Sequence, residues 1–476
     1  MSEWKKVKIG DICKIVKGTT GIASAEPGQY PLVVTAEERK TCSTYQFDCE
    51  AVCIPLVSSS GHGKKSLKNV HYQSGKFALG TILCAVIPNN PQELDARYLH
   101  QYLQFYKDII LVPLMKGAAN VSLSMKDIAT VEFPLPPIDR QRELSNLFVS
   151  LQEKQKELSA EYEKQTDYAK LLRQNILQEA IEGKLTADWR KQNPVQKGNP
   201  DYDAEALFEQ IQKGEVSPSL QPASQFSATP SPRGKAPKTP ENSREFFEEK
   251  LDSERKRTNN ARSKSLAPIT DEEKTFEIPE GWKWVRLESL SSDILYGVSE
   301  SAKENGKYKL LRITDIQNNF VDWDTVPYTD FNDAKVNQYL LHKGNILFAR
   351  TGGTVGKSYL VEQCPLNTIY ASYLIRVRLT EYINSHFIKS FFESPFYWRQ
   401  ITDSLVGTGQ PNCNGQKLAN LVLPLPPLKE QEEIVNKVET LLAKVTTLEN
   451  QIQDRKSLSD KLIFGIIKDA FEEKKA

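Results

Sequence analysis

Nothing in this sequence has the spacing of a catalytic or metal-binding motif. Its five histidines (His62, His71, His100, His342, His386) are scattered and form no HExxH pair. There is no G-x-S-x-G turn, no Gly-rich S-adenosylmethionine loop and no NPPY-like methyltransferase motif, so hydrolase and methyl-transfer chemistry find no residues to carry them. Seven cysteines, an odd number, include no CxxC pair. Cys42, Cys49 and Cys53 cluster without a histidine at ligand spacing, which reads as reduced thiols in a cytoplasmic protein. The start, MSEWKKVKIGDI, lacks the apolar core of a signal peptide, and no run of 18 apolar residues exists, so no membrane span is expected. Charge of one sign is also missing: 62 basic against 61 acidic residues give a net +1. Any nucleic-acid contact must then come from local clusters. The expectation is a non-catalytic chain with no cofactor and no metal.

One stretch imitates a nucleotide site. TGGTVGKSYL (Thr351 to Leu360) contains Gly-Lys-Ser, but a phosphate-cradling loop needs glycine where Thr351 stands and must open a helix. The following SYLVEQCPLN reads as extended instead. Nucleotide hydrolysis is set aside.

What the chain does have is a repeat. VEFPLPPIDRQRELSNLF (Val131 to Phe148) returns as LVLPLPPLKEQEEIVNKV (Leu421 to Val438), with Pro134 falling on Pro424 at an offset of 290. Each copy opens on a double proline and acidic first-turn residues, which suit a helix start. Apolar residues then recur at 4,3 spacing: Leu144, Phe148, Leu151, Leu158, Tyr162, Ala169, Leu172 and Ile176 in one, Ile434, Val438, Leu441, Val445, Leu448, Ile452, Leu462 and Ile466 in the other, interrupted by Gln155, Gln165, Glu179, Arg455, Ser459 and Asp469. That is a coiled-coil seam sustained over five heptads. Two such helices in one chain, related by a pseudo-two-fold axis, should pair antiparallel; a homodimeric coiled coil or part of a larger bundle is the other reading. At about 1.5 Å per residue, each is about 68 Å long.

The residues before each helix form comparable mixed α/β regions. WKKVKIGDI restarts as WKWVRLESL at an offset of 278, so the second copy carries about a dozen extra residues. The expected order is a globular domain over 1–137, a long helix over 138–185, a Pro/Ser-rich, partly disordered connector over 186–278, a second domain over 279–427 and a second long helix over 428–476. Within the connector, DAEALFEQIQ and SREFFEEKLDSERKRT can form short helices, while LQPASQFSATPSPRGKAPKTPENS cannot bury a core. The basic run from Arg255 to Lys264 touches DNA or is simply a solvated face. The fold class is mixed α+β: two α/β domains separated by an antiparallel pair of long coiled-coil helices.

Two loops recur as candidate binding elements. FARTGGTVGKS follows a strand and displays Arg350, Thr351, Thr354 and Lys357; its counterpart VSSSGHGKKS displays Ser60, His62, Lys64 and Lys65. Glycine lets backbone approach a phosphate, and arginine can read a guanine edge or hold phosphate. An ordinary surface turn is the alternative. The second pair, MKGAANVSLSMKDI and LVGTGQPNCNGQKL, matches Asn120 with Gln410, Ser122 with Asn412 and Ser124 with Asn414. Uncharged amides and hydroxyls suit base edges and phosphates, and equally turns and helix caps.

Taken together, the paired LPPIDRQ and LPPLKEQ signatures, the long helix after each, the GTGQPN loop, EGKLTADWRKQN and PEGWKW resemble the specificity subunits of Type I restriction–modification systems over essentially the whole chain. The resemblance implies a non-catalytic reader of double-stranded DNA with two target-recognition domains, each contacting half of a bipartite, asymmetric site. It implies that two methyltransferase subunits dock on the helices, along Leu144, Leu151, Leu158, Leu172, Ile434, Leu441, Leu448 and Leu462, and that restriction subunits join them. A helix pair of about 68 Å would bound the separation of the readers at about 20 base pairs. The first domain's GHGKK loop fits the family pattern only loosely. The rival reading is a coiled-coil scaffold whose end domains bind protein or small ligands.

Overall fold

The computed structural model describes residues 4–60, 63–214, 268–405 and 413–472. These fall into two compact units, Met1–Thr166 with Asn450–Ala476, and Asp167–Glu449. Each holds one α/β domain with part of each long helix.

In the first unit, four antiparallel strands, β1 (Cys13–Lys17), β2 (Ala51–Pro55), β3 (His71–Gln73) and β4 (Leu83–Pro88), lie in the order β1-β4-β2-β3. β2 reads AVCIP and is buried along its whole length, because both faces are covered. Alternation decides what each face meets. Val52, Ile54, Cys84 and Val86 pack with Tyr98, Leu99 and Leu103 of helix α1 (Ala96–Ile110), while Ala51, Cys53, Leu83 and Ala85 pack with Phe77 and Leu79 of a smaller sheet. The first long helix, α2 (Ile138–Ile181), follows.

The second unit repeats this plan. Strands β5 (Ser291–Tyr296), β8 (Ile346–Ala349), β9 (Ser358–Leu360) and β10 (Leu374–Leu379) lie in the order β5-β10-β8-β9, and a two-stranded hairpin, β6 (Ile316–Gln317) and β7 (Phe320–Val321), intervenes in the chain. Helix α3 (Ser385–Glu393) covers Ile346, Phe348, Ile375 and Val377, with the Phe348 and Phe392 rings edge to face at 4.7 Å. Strand Tyr308–Leu311 runs parallel to Thr368–Tyr370, as Tyr30–Val33 does to Lys76–Leu79. The second long helix, α4, spans Leu428–Glu472.

The long helices run antiparallel in each unit. In the first, Gln155 donates to Asp460 at 3.0 Å and Tyr162 to the Arg455 carbonyl at 3.4 Å, so partner numbers fall as the others rise. In the second, Arg173 pairs with Glu449 and also reaches Thr446, both at 3.0 Å. The helices depart from a strict heptad at three leucines. Leu172, Leu448 and Leu462, assigned to the seam, are 44 %, 42 % and 62 % exposed. The buried stripe keeps the seam positions Ala169, Ile176 and Ile452, and runs on through Leu177, Ala180 and Ile181 on one helix and Ile463, Ile467 and Phe471 on the other. Ile452 to Ile463 is eleven residues in three turns, so these helices keep a natural period near 3.6 and drift off a strict seven-residue frame.

The repeated signature fixes how each domain meets its helix. Gln141 is fully buried. Its Nε2 donates to the Pro136 and Glu93 carbonyls, and its Oε1 accepts from Asp95 N, all at 2.8 Å; Asp95 caps α1. Gln431, 290 positions on, donates to the Pro426 carbonyl and accepts from Asn384 N, both at 3.0 Å; Asn384 caps α3. One amide thus joins a helix cap, a Pro-Pro turn and a long-helix first turn. Gln431→Ala strands a buried N–H and a carbonyl and is expected to cost about 2–3 kcal/mol. Gln453→Ala on the exposed face should cost under about 0.5 kcal/mol; equal shifts in a calorimetric comparison would refute the latch.

Of the connector, residues 186–214 and 268–278 are described. Ala204–Lys213 is helical, as DAEALFEQIQ suggested. The carbonyls of Pro200 and Asp201 accept from Leu428 N and Lys429 N (3.1 and 3.2 Å), satisfying donors that a helix start leaves open. The Pro/Ser-rich stretch, SREFFEEKLDSERKRT and the basic run lie outside the described residues.

Candidate nucleic-acid interface

The recurring loops meet in each domain through the same backbone contact. Leu56, just past β2, accepts from Leu123 N at 2.9 Å, and Arg350, just past β8, accepts from Cys413 N at 3.0 Å. The central strand therefore ends against the second loop in both copies.

In the second domain, the loop after β8 closes tightly. Gly356 N donates to the Ala349 carbonyl at 3.0 Å and Ala349 N to the Lys357 carbonyl at 2.9 Å. Gly356 sits at φ +81°, and a Cβ there would crowd Ile401 and Trp398 at 3.1 and 3.2 Å. The Tyr397 hydroxyl donates to its carbonyl at 2.5 Å. Ser358–Leu360 is a strand, so no helix follows Gly-Lys-Ser and the geometry of a phosphate-cradling nucleotide loop is absent. Thr351 and Thr354 are half-buried at the ends of this turn, and Lys357 is exposed.

Arg350 is held from several sides. Its N–H donates to the Tyr373 carbonyl at 3.0 Å, and its guanidinium stacks on the Tyr296 ring at 5.1 Å. Tyr296 in turn accepts from Gly415 N at 2.8 Å. Stacking restricts the planar fork before any ligand arrives. Cys413 is buried, which pushes its thiol up to about 11 and leaves it a packing residue.

In the first domain, the longer loop from Leu56 to Val70 is braced by hydroxyls. Ser58 Oγ donates to the Lys64 carbonyl at 2.5 Å, and Ser60 Oγ lies 2.7 Å from Ser66 Oγ. Ser58 N donates to the Val121 carbonyl at 3.0 Å, and Ser122 exchanges two 2.8 Å bonds with Lys116. Ser60, Lys64, Lys65, Asn120 and Ser122 are exposed together there. His62, Gln410 and Asn412 lie outside the described residues. Ser124 and Asn414 are helix caps, accepting from Asp127 N at 3.0 Å and Lys417 N at 2.8 Å, which is the capping alternative left open for that pair.

The sequence reading missed Tyr296, the exposed Tyr373 and a cleft of about 640 Å³ beside the loop, lined by Thr354, Lys357, Lys389 and the 317–319 turn. Burial holds the Lys389 ammonium below the ordinary lysine range, while Glu393 at 2.9 Å opposes the shift. Only the Asn-Asn pair at 318–319 carried a sequence signal, that of a hairpin turn. Among the described residues, no His, Cys, Asp or Glu group is arranged to hold a metal, and no helix is long and apolar enough to cross a membrane.

Comparison with known proteins matches both repeats. A family model described as the Type I restriction modification DNA specificity domain fits residues 1–165 and again 279–455. The Type I restriction enzyme EcoDI specificity subunit of Escherichia coli is 22 % identical over 480 residues, covering 98 % of this chain and 88 % of that one. The EcoKI specificity subunit of Escherichia coli (strain K12) is 30 % identical over 210 residues, 43 % of this chain and 45 % of that relative's length. The crystal structure of the HsdS subunit from Thermoanaerobacter tengcongensis has a similar fold, with TM-score 0.52 and 15 % identity over 98 % of this chain and 96 % of that one.

Proposed function

We propose, from the premise that this chain belongs to the Type I restriction modification DNA specificity family, that it is the DNA-reading subunit of a Type I restriction–modification complex. In this reading its two domains each recognise half of a bipartite, asymmetric site in double-stranded DNA. The subunit performs no chemistry itself and works in the cytoplasm, bringing two methyltransferase subunits and restriction subunits to the site. The single observation that carries this is the recurring junction of strand end and second loop. It sets Arg350, Thr351, Thr354 and Lys357 together in one domain and Ser60, Lys64, Lys65, Asn120 and Ser122 in the other. Basic and hydroxyl groups suit phosphate and base edges.

Repetition also supports two copies of one partner. Tyr168 and Leu172 are exposed on α2, and the residues 290 positions on, Leu458 and Leu462, are exposed on α4. Equivalent surfaces on a duplicated chain suit a pair of identical subunits.

The test uses the chain with its methyltransferase partner and a library of duplexes. Arg350→Ala is expected to lower discrimination at one base pair of one half-site by about 10- to 100-fold if the fork reads a base. If it holds phosphate, affinity falls uniformly and the salt slope drops by about one. A variant unchanged in both respects would defeat this assignment.

A further inference from the structure

Register locates where the two domains differ. Leu32 pairs with Ala78 and Leu310 with Ile369, which places the second copy 278 positions on. Val52 pairs with Val86 and Ile346 with Val377, which places it 294 on. The additional residues therefore lie between Leu311 and Ile346. In the first domain, strand Tyr30–Val33 turns directly into Lys40–Cys42. In the second, the chain leaves Leu311, makes the β6–β7 hairpin and returns as Tyr328–Thr329.

This excursion is built to hold its tip still. Ile313, Ile316, Val321, Trp323 and Val326 pack into one apolar cluster with Leu347 and Tyr359 of the main sheet. Arg312 clamps Asp315 through Nε and Nη2 at 2.7–3.2 Å. Asn318 and Asn319 both adopt positive φ (53° and 59°), the pair of left-handed residues a tight two-residue hairpin requires. Asn319 donates to Glu393 at 2.9 Å, and Lys389 reaches Asn319 Oδ1 at 3.4 Å while donating to the Ser358 carbonyl at 2.7 Å. The tip is thereby tied beside the Thr354–Lys357 turn, on the opposite wall of the same cleft.

Two side chains at this anchored tip have no structural employment. Asn318 makes no hydrogen bond among the described residues and is exposed. Phe320 is 67 % exposed next to it. An unspent amide and a bare aromatic ring on a braced two-stranded ribbon are what a base edge and a thymine methyl call for, and the major groove is wide enough for such a ribbon.

We infer that the Ile316–Val321 hairpin is a base-reading element added to the second domain alone. It presents Asn318 and Phe320 to base edges in the major groove while Thr354 and Lys357 hold the adjoining backbone. This rests on the reading of that domain as a DNA-binding face. It gives the two domains different readers on a shared scaffold, as an asymmetric site demands.

The experiment uses the full chain with its methyltransferase and measures binding to duplexes carrying every single-base change. Asn318→Gly keeps the left-handed turn and removes only the amide, so it tests the claim without threatening the fold; Phe320→Ala is the second variant. Each is expected to relax selectivity about tenfold at one or two neighbouring base pairs of one half-site, with the other half-site and the salt slope unchanged. Selectivity intact in both variants, or a uniform loss at all positions, overturns the hairpin's role. If Arg350→Ala is altered in the same series, the DNA-binding reading of the face survives that failure. If Arg350→Ala is also indistinguishable from the unaltered chain, the face itself has been misassigned.

Discussion

Glu430→Ala is expected to destabilise the second unit by about 3–5 kcal/mol. The Glu430 side chain is almost wholly buried, and three donors from two stretches far apart in sequence converge on it. Trp282 Nε1 donates at 2.7 Å, Thr186 Oγ1 at 2.6 Å and Arg190 Nη1 at 2.5 Å. Arg190 also lies 5.9 Å over the Trp282 ring. Charge-assisted bonds of this kind are about twice as strong as neutral ones. Removing the carboxylate leaves a largely buried guanidinium and an indole N–H without their acceptor, and that desolvation dominates the loss. Glu430→Gln keeps the shape but offers one acceptor where three donors converge, so an intermediate loss of about 2 kcal/mol follows. Arg190→Ala should be milder than Glu430→Ala, since the carboxylate retains two donors. Calorimetry gives the size, and hydrogen exchange along Ala204–Lys213 reports whether the connector loosens with it. A loss below about 1 kcal/mol for Glu430→Ala would contradict the hub.

The same cluster shows what sequence could and could not reveal. EGKLTADWRKQN, PEGWKW and LPPLKEQ were visible as landmarks, but nothing in spacing said that Thr186, Arg190, Trp282 and Glu430 would touch. Gln141 and Gln431 were likewise visible as repeated letters. Their function depends on Asp95 N and Asn384 N, each more than forty residues away. Elements set by local rules were legible: the starts of α2 and α4 after Pro-Pro, the apolar central strands, and the glycine-rich turn beyond Ala349. The heptad frame held where Leu144 and Ile434 anchor domain cores, then failed at Leu172, Leu448 and Leu462, because an unstrained helix drifts from a seven-residue repeat. In the candidate interface, Arg350 was legible from the turn chemistry around it. Tyr296, which orients it, lies 54 positions earlier and carried no sign. A net dozen extra residues were countable, but placing the insertion between Leu311 and Ile346, with its hairpin beside Lys357, required the strand registers.

The first unit should lose stability in mild acid through His71. Its imidazole is buried, with Arg39 Nη1 donating to Nδ1 at 3.1 Å, and Arg39 is held by Gln73, the Tyr72 carbonyl and the Glu37 carbonyl. Burial first, then the Arg39 charge and His100, pull its pKa down from 6.5 to about 4. His100, also depressed mainly by burial, lies on the neighbouring helix and bonds the Val70 carbonyl at 2.9 Å. Unfolded His71 takes a proton near pH 6.5, whereas folded His71 resists until about pH 4, so the unfolded chain holds the extra proton between those limits. The stabilisation is present above pH 6.5 and disappears as pH falls toward 4, by about 1.4 kcal/mol per unit and about 3 kcal/mol in all. His71→Gln removes this titration while keeping an acceptor for Arg39. Denaturant unfolding of both proteins from pH 7.5 to 4.5 isolates the effect, since carboxylate contributions are common to the two. The difference in stability should change by about 3 kcal/mol across the window; parallel curves would mean that His71 does not carry this acid sensitivity.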